Sequence, residues 1–287
     1  MTTLIHKKTL LTVILIGLLS GCDSNTKPAP TASQATAAAG LSLNQWFDAR
    51  YEEELQFSPI QLSFLGRKER NHELGSFSYA AFTEELAWKK QTVEELRRLY
   101  DYDSLTPAEQ ISYDIWIYQY EQAAASAEYF YNGLSFDQMS GIQSFIPTFL
   151  INFHRVEDES DLRAYIARIK DVAPRMEEML ETAQKSADAG VVSPGFALDG
   201  VIDQASAIID GRPFTETTAK DSDLWADFQQ EAQALVTQQK ISQEVADALM
   251  QDAKTALKKH FLPTYQSIIA WAETQKDRAP AIVTGVG

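Results

Sequence analysis

Tyr79-Ala80-Ala81-Phe82-Thr83-Glu84-Glu85-Leu86-Ala87-Trp88-Lys89-Lys90-Gln91-Thr92-Val93-Glu94-Glu95-Leu96-Arg97-Arg98-Leu99-Tyr100 carries its bulky apolar residues three and four apart. Tyr79, Phe82, Leu86, Val93, Leu96 and Tyr100 fall on one face of a 3.6-residue helix, and Lys89 takes the one polar slot in that register. Glu94 and Arg98 are spaced for an outward i,i+4 ion pair. A half-buried strand would alternate apolar and polar residues instead, so this stretch predicts a long amphipathic helix.

The same period extends in both directions. Ser42 and Gln45 have capping-box spacing, and Leu43, Trp46, Phe47, Tyr51 and Leu55 follow on one helical face. Ser58-Pro59 opens a second helix, with proline at a first-turn position where its missing N–H costs nothing, and Gly66 can stop it. Thr106-Pro107-Ala108-Glu109 joins a capping box to a first-turn proline. The helix it opens is rich in aromatics: Tyr113, Trp116, Tyr118 and Tyr120, then Tyr129, Phe130 and Tyr131, lie around more than one face. That pattern predicts a central element or a cavity wall, and such stripes more often form core than ligand boxes. Residues 132–156 read as less regular, with a turn at Asn132-Gly133. Ser160 then heads a phased run of Leu162, Tyr165, Ile166, Ile169, Met176, Met179, Leu180 and Ala183. Pro174 lies inside it, which predicts a kink or two abutting helices, and Gly190 ends it. Further helices are expected over 196–209, 224–236 and 245–261, with Pro263 breaking the chain before a last one at 265–271. No alternating pattern of useful length and no internal repeat occurs. The fold class read from the chain is all-α, a multi-helix array with long amphipathic helices, kinked near Pro174.

Cys22 is the sole cysteine. It closes Leu19-Ser20-Gly21-Cys22 behind Lys7-Lys8 and an apolar run from Leu10 to Leu19, the layout of an export signal with a lipobox. Ten residues are too few to span a bilayer, which takes about 20. The reading is a lipoprotein signal over 1–21, cut between Gly21 and Cys22, with the Cys22 thiol joined to diacylglycerol and the new amino group acylated by a chain such as palmitate. Two or three chains hold a protein on a membrane where one does not. Asp23 then resembles the enterobacterial signal for retention in the inner membrane, facing the periplasm. Residues 22–40 are small, polar and interrupted by proline, a flexible tether reaching on the order of 25 Å. The domain boundaries expected are 41–278 for one helical body and 279–287 for an irregular tail.

Composition narrows the partners. The formal charge is −15, and loss of Lys7 and Lys8 with the signal makes it −17. Such a surface repels nucleic acid and anionic headgroups, so lipid rather than a basic patch must bind the membrane. With 45% hydrophobic residues the chain can build a large core.

Catalytic motifs are sparse. A zinc-peptidase helix needs two histidines one turn apart with a glutamate beside the first. His6 leaves with the signal, and one turn after His72, His154 and His260 stand Ser76, Asp158 and Thr264. His72-Glu73 reads as a polar pair on a loop. His154, beside Arg155 and near Glu157 and Asp158, reads as a local polar cluster of structural kind. The acidic runs Glu52-Glu53-Glu54, Glu84-Glu85, Glu94-Glu95 and Glu177-Glu178 point in diverging directions on a helix and read as solvated faces. No catalytic, cofactor-binding or metal residue is assigned.

Phe47-Asp48-Ala49-Arg50-Tyr51 with Ser58-Pro59 and Leu65-Gly66, then Leu105 to Tyr113 with Asp114, Phe136-Asp137-Gln138 with Gly141 and Pro147, Tyr165-Ile166-Ala167-Arg168, Gly190 and Pro194 occur in order. In that order and spacing, from about Trp46 to Arg278, the chain resembles the N-terminal half of the bacterial domain of unknown function 885 family, many of whose members are exported lipoproteins. Family members resemble helical zincin-type metallopeptidases. Their zinc motif, a His-Glu stretch with a second His, lies in a C-terminal half with no positions to map onto here. The resemblance therefore implies helical fold and export, with zinc expected only in that other half and no catalysis by this chain alone. Three functions compete. The chain is the N-terminal half of a peptidase-like lipoprotein, truncated or split, with no catalysis of its own and a separately encoded C-terminal half as its partner in the split case. It is a free-standing module in which the helix from Ile111 to Tyr131 lines a groove for peptide or apolar ligand. Or it is a structural envelope-assembly partner. The first predicts apolar side chains near Phe145 to Phe153 left facing water.

Overall fold

A computed structural model describes residues 40–215 and 220–279; Gly21, Cys22 and Asp23, like the signal and nearly all of the tether and tail, lie outside the described residues. Within them the protein is all-α. Caps set the helix starts. Ser42 and Gln45 close their capping box at the head of α1, Leu43–Leu55, and Ser58 caps α2, Pro59–Phe64. Ser78 caps α3, Tyr79–Leu99, and the Thr106–Glu109 box opens α4, Pro107–Ser126. Then follow α5, Ile142–Phe153, and α6, Glu159–Asp188, the latter capped by Asp158 rather than by Ser160. α7, Gly195–Ile208, α8, Asp223–Thr237, α9, Gln243–Ala256, and α10, Leu262–Lys276, complete the array.

Helix α6 runs through the core. Leu162, Tyr165, Ile169, Val172 and Met176 are fully buried on it, and it packs against α8, α9 and α10, while α10 lies along α7. On the N-terminal side α1, α3 and α4 form a layer of their own around Trp46 and Trp116. Two residues of α6 hold the segment leading into α3: the Leu74 amide donates to Asp171 at 2.8 Å and the Phe77 amide to Glu178 at 2.7 Å. The turn between them needs glycine. Gly75 has φ +83°, and a Cβ there would stand 2.8 Å from the Pro59 ring.

Besides Pro59 and Pro107, which open α2 and α4, three prolines lie in helical backbone, and each is accommodated differently. Pro174 does not divide its helix: α6 is a single 30-residue helix rather than two abutting ones. Pro174 and Lys170, whose carbonyl loses its partner, are both exposed, so water can serve that carbonyl. Pro147 sits inside α5, in the stretch read as irregular. The carbonyl it orphans belongs to Gln143, and the buried Tyr265 hydroxyl donates to it at 2.6 Å. Pro263 does not break the chain as its sequence position predicts. A π turn over Leu257–Phe261 joins α9 to α10, the Leu262 amide donating to the Leu257 carbonyl, and this looser turn carries the proline into the new helix.

Helix α5 escaped the periodic reading because Gly141 supplies no capping side chain and the helix is apolar on most sides. Ile146, Phe149 and Leu150 are buried, so the stretch is not left in water as a whole. Phe145 and Phe153 keep 36% and 42% exposure, stacked on either side of Phe149 in one ladder with Phe64 edge-on to it. The expected open apolar patch is therefore reduced to the rim of that ladder. The surface ions also differ from the spacing. Glu94 reaches Lys90 and Arg98 reaches Glu95, each at 4.0 Å, an arrangement worth little at an exposed helix face.

Candidate functional site

Two polar constellations stand out from the core, and their physics separates them. The first centres on Arg168, which is fully buried on α6. Its Nε donates to the Glu73 carbonyl at 2.9 Å and Nη1 to Asn71 Oδ1 at 3.1 Å; Nη2 donates to Ser63 Oγ at 2.6 Å and to the Pro59 carbonyl at 3.4 Å. Nη1 also meets His154 Nδ1 at 2.9 Å, while His154 Nε2 lies 2.9 Å from the Asp161 carbonyl. A guanidinium has only donors, so Nδ1 must accept and Nε2 carries the hydrogen: His154 is neutral. Burial lowers its pKa to about 4 and that of Arg168 to about 10, so the arginine keeps its charge at neutral pH. The Phe149 ring lies 5.1 Å from the guanidinium carbon. Beside it Lys68 pairs with the buried Asp161 at 2.6 Å, and Asn71 donates to the other oxygen of that carboxylate at 3.2 Å. Arg168, His154 and Asn71 are buried, and every nitrogen of the guanidinium has a protein partner. It is a structural hub joining α2, the 68–73 loop, α5 and α6.

The hub has a pH signature. His154 titrates near 6.5 when unfolded and about 4 when folded, so the folded chain binds its proton less readily. The stability this difference contributes is complete above pH about 6.5 and is lost as pH falls toward 4, amounting to about 3 kcal/mol. Urea denaturation between pH 7 and 5 should show the decline, and His154→Gln, whose amide offers one acceptor and one donor, should flatten it. An unchanged slope in that variant would assign the acid sensitivity to other groups.

The second constellation is open. Helices α1, α3 and α4 enclose a groove of about 770 Å³. Its walls are Phe47, Asp48, Tyr51 and Glu54 from α1, Phe82, Glu85, Leu86 and Lys89 from α3, and Ser112, Ile115, Trp116, Gln119 and Ala123 from α4, with Asn44 at one end. The floor is pinned. Trp116 Nε1 donates to Thr92 Oγ1 at 3.0 Å, and Thr92 Oγ1 in turn donates to the Lys89 carbonyl at 2.7 Å. Trp46 Nε1 donates to Glu95 and Trp88 Nε1 to Glu53, both at 3.1 Å. Lys89, buried in the polar slot of α3, donates to Glu54 Oε1 at 3.0 Å and stands 3.3 Å from the centre of the Trp116 ring. A desolvated cation on an indole face contributes about 2 kcal/mol. Burial still pulls Lys89 below the ordinary lysine range, against the neighbouring Glu54 and Glu85 charges. Glu85 is displaced upward, by shielding of its carboxyl from water and by Glu54. Large pockets that gather perturbed groups are where ligand sites concentrate.

Sequence spacing found part of this. The aromatic helix α4 does wall a groove, but it is not central: only Tyr113 and Trp116 are buried on it, and Tyr118 and Ile115 stay at least half exposed. Glu53 and Glu54 are not a solvated face, since one holds an indole and the other the buried lysine. The signal was the polar slot of Lys89, which required a carboxylate from a neighbouring helix. His72 lies on the loop, exposed, with Glu73 at 3.2 Å, and His260 sits in the π turn. Among the described residues no three His, Cys, Asp or Glu side chains gather as a metal site.

The model of one family, the bacterial proteins of unknown function DUF885, matches residues 59–283. The chain belongs to DUF885. That span takes in the hub and two of the three helices of the groove. No curated protein matches. Among solved structures, this DUF885 chain is similar to "the putative lipoprotein from Colwellia psychrerythraea", with a TM-score of 0.64 at 14% identity. The likeness covers 84% of this chain and 43% of that one, so the DUF885 chain spans less than half the length of that protein and shares its fold over that part. No helix among the described residues is long and apolar enough to cross a membrane.

Proposed function

We propose that this DUF885 protein is a cell-envelope lipoprotein, anchored through Cys22 and facing the periplasm, whose helical body binds an apolar peptide segment between α1, α3 and α4. The observation that carries the reading is the groove itself: an aromatic trough in which Trp116 is fixed by its hydrogen bond to Thr92, with Trp46 and Trp88 packed against it, before any ligand arrives. Its chemistry is recognition. Glu54 and Lys89 neutralise each other, and Trp116 is committed to Thr92. In a peptidase-like architecture this half would capture substrate while a metal-binding half would cut it.

The expected result is stabilisation of the purified domain by short peptides carrying leucine and phenylalanine. At a concentration one hundred times Kd, binding adds about 2.7 kcal/mol, a melting shift of roughly 5–10 °C for a domain of this size. Ala123→Trp, which places an indole in the groove, should abolish the shift while leaving the fold intact. A shift that survives this substitution would put binding elsewhere on the surface.

A further inference from the structure

The groove is lined by three carboxylates, Asp48, Glu54 and Glu85, and one ammonium, Lys89. Lys89 is already taken, held at 3.0 Å by Glu54 and covered by the Trp116 face. Asp48 and Glu85 make no hydrogen bond or ion pair among the described residues. The trough thus offers two carboxylates with no hydrogen-bonded partner, one from α1 and one from α3, in the same lining as the apolar and aromatic side chains of Phe47, Tyr51, Phe82 and Ile115.

We propose that the groove selects peptides in which a lysine or arginine flanks a large apolar side chain, the cation lying between Asp48 and Glu85 and the apolar side chain on the aromatic floor. This rests on the peptide-binding reading above and specifies its ligand. A carboxylate-bearing peptide meets like charge on both walls, whereas a cation relieves the mutual repulsion of Glu54 and Glu85. Glu85, whose acidity is already weakened, gains most from such a partner. An aromatic surface beside the carboxylates suits a guanidinium, which stacks and pairs at once.

The experiment is isothermal titration of the folded domain with three blocked pentapeptides of one frame: Leu-Arg-Phe-Arg-Leu, Leu-Ala-Phe-Ala-Leu and Leu-Glu-Phe-Glu-Leu. The arginine peptide should bind at least tenfold more tightly than the alanine peptide, and the glutamate peptide should give no measurable heat. Asp48 and Glu85 hold no other side chain of the described residues, so Asp48→Asn with Glu85→Gln should keep the wild-type circular dichroism and melting curve while erasing the arginine preference. Raising salt from 50 to 500 mM should narrow the preference in the wild type and leave the double variant unmoved. Equal affinity for the arginine and alanine peptides, or an unaltered preference in the double variant, overturns the charge selection and leaves the groove a neutral peptide site. Silence with all three peptides overturns both this proposal and the peptide-binding reading beneath it.

Discussion

Arg168→Met should lower the stability of the domain by about 3–5 kcal/mol and its melting temperature by roughly 6–20 °C. The methionine fills much of the volume but returns no hydrogen bond. Asn71 Oδ1, Ser63 Oγ, His154 Nδ1 and the Glu73 carbonyl would all lose their donor inside a dry core, and each such loss costs on the order of 1–3 kcal/mol before relaxation. Arg168→Lys keeps the charge but presents a point ammonium in place of a planar fork, so it should recover less than half of the deficit. Thermal melts of the three proteins, followed by circular dichroism, would decide. If Arg168→Met melts within about 2 °C of wild type, the hub is not what joins α2 and the 68–73 loop to α6.

Substitution of Cys22 should have an all-or-none effect. In cells fed labelled palmitate the wild-type protein should take up label, and Cys22→Ala should take up none, because the chain holds no other thiol and acylation of the amino group depends on the same cleavage. Each buried methylene contributes roughly 0.8 kcal/mol, so the loss of two or three chains removes the anchor altogether. If Asp23 acts as an inner-membrane retention signal, Asp23→Ser should move the labelled protein from the inner-membrane to the outer-membrane band of a density gradient. Label retained on Cys22→Ala would dispose of the anchor.

The helical fold was legible wherever local chemistry and hydrophobic period agreed. Capping boxes at Ser42 and Thr106 and the register of α3 each identified their helix. What escaped depends on partners distant along the chain. Helix α5 tolerates Pro147 because Tyr265, far away in sequence, supplies the hydrogen bond that the proline withdraws, and no local pattern announces that. Arg168 appeared within Tyr165-Ile166-Ala167-Arg168 as a point of family likeness, yet its burial was hidden, since four of its five acceptors lie on α2 and the 68–73 loop. His154 was read as part of a local polar cluster, and its ring instead reaches across to α6. Lys89 lies between these cases. Its place on an apolar face showed in the periodicity, while the Glu54 and Trp116 that satisfy it come from two other helices.

The three indoles that fix the groove also give the protein a built-in optical readout. Trp46, Trp88 and Trp116 are three of the five tryptophans in the chain, and they pack edge to face with ring centres 5.6 and 6.3 Å apart. The indole absorption of the chain is thus concentrated in one small region, where neighbouring rings lie close enough to couple. An occupant of the trough alters the surroundings of Trp116 directly, whereas none of the three indoles is a hydrogen-bond or ring partner of Arg168. Occupancy of the groove can therefore be followed in an unlabelled, folded sample.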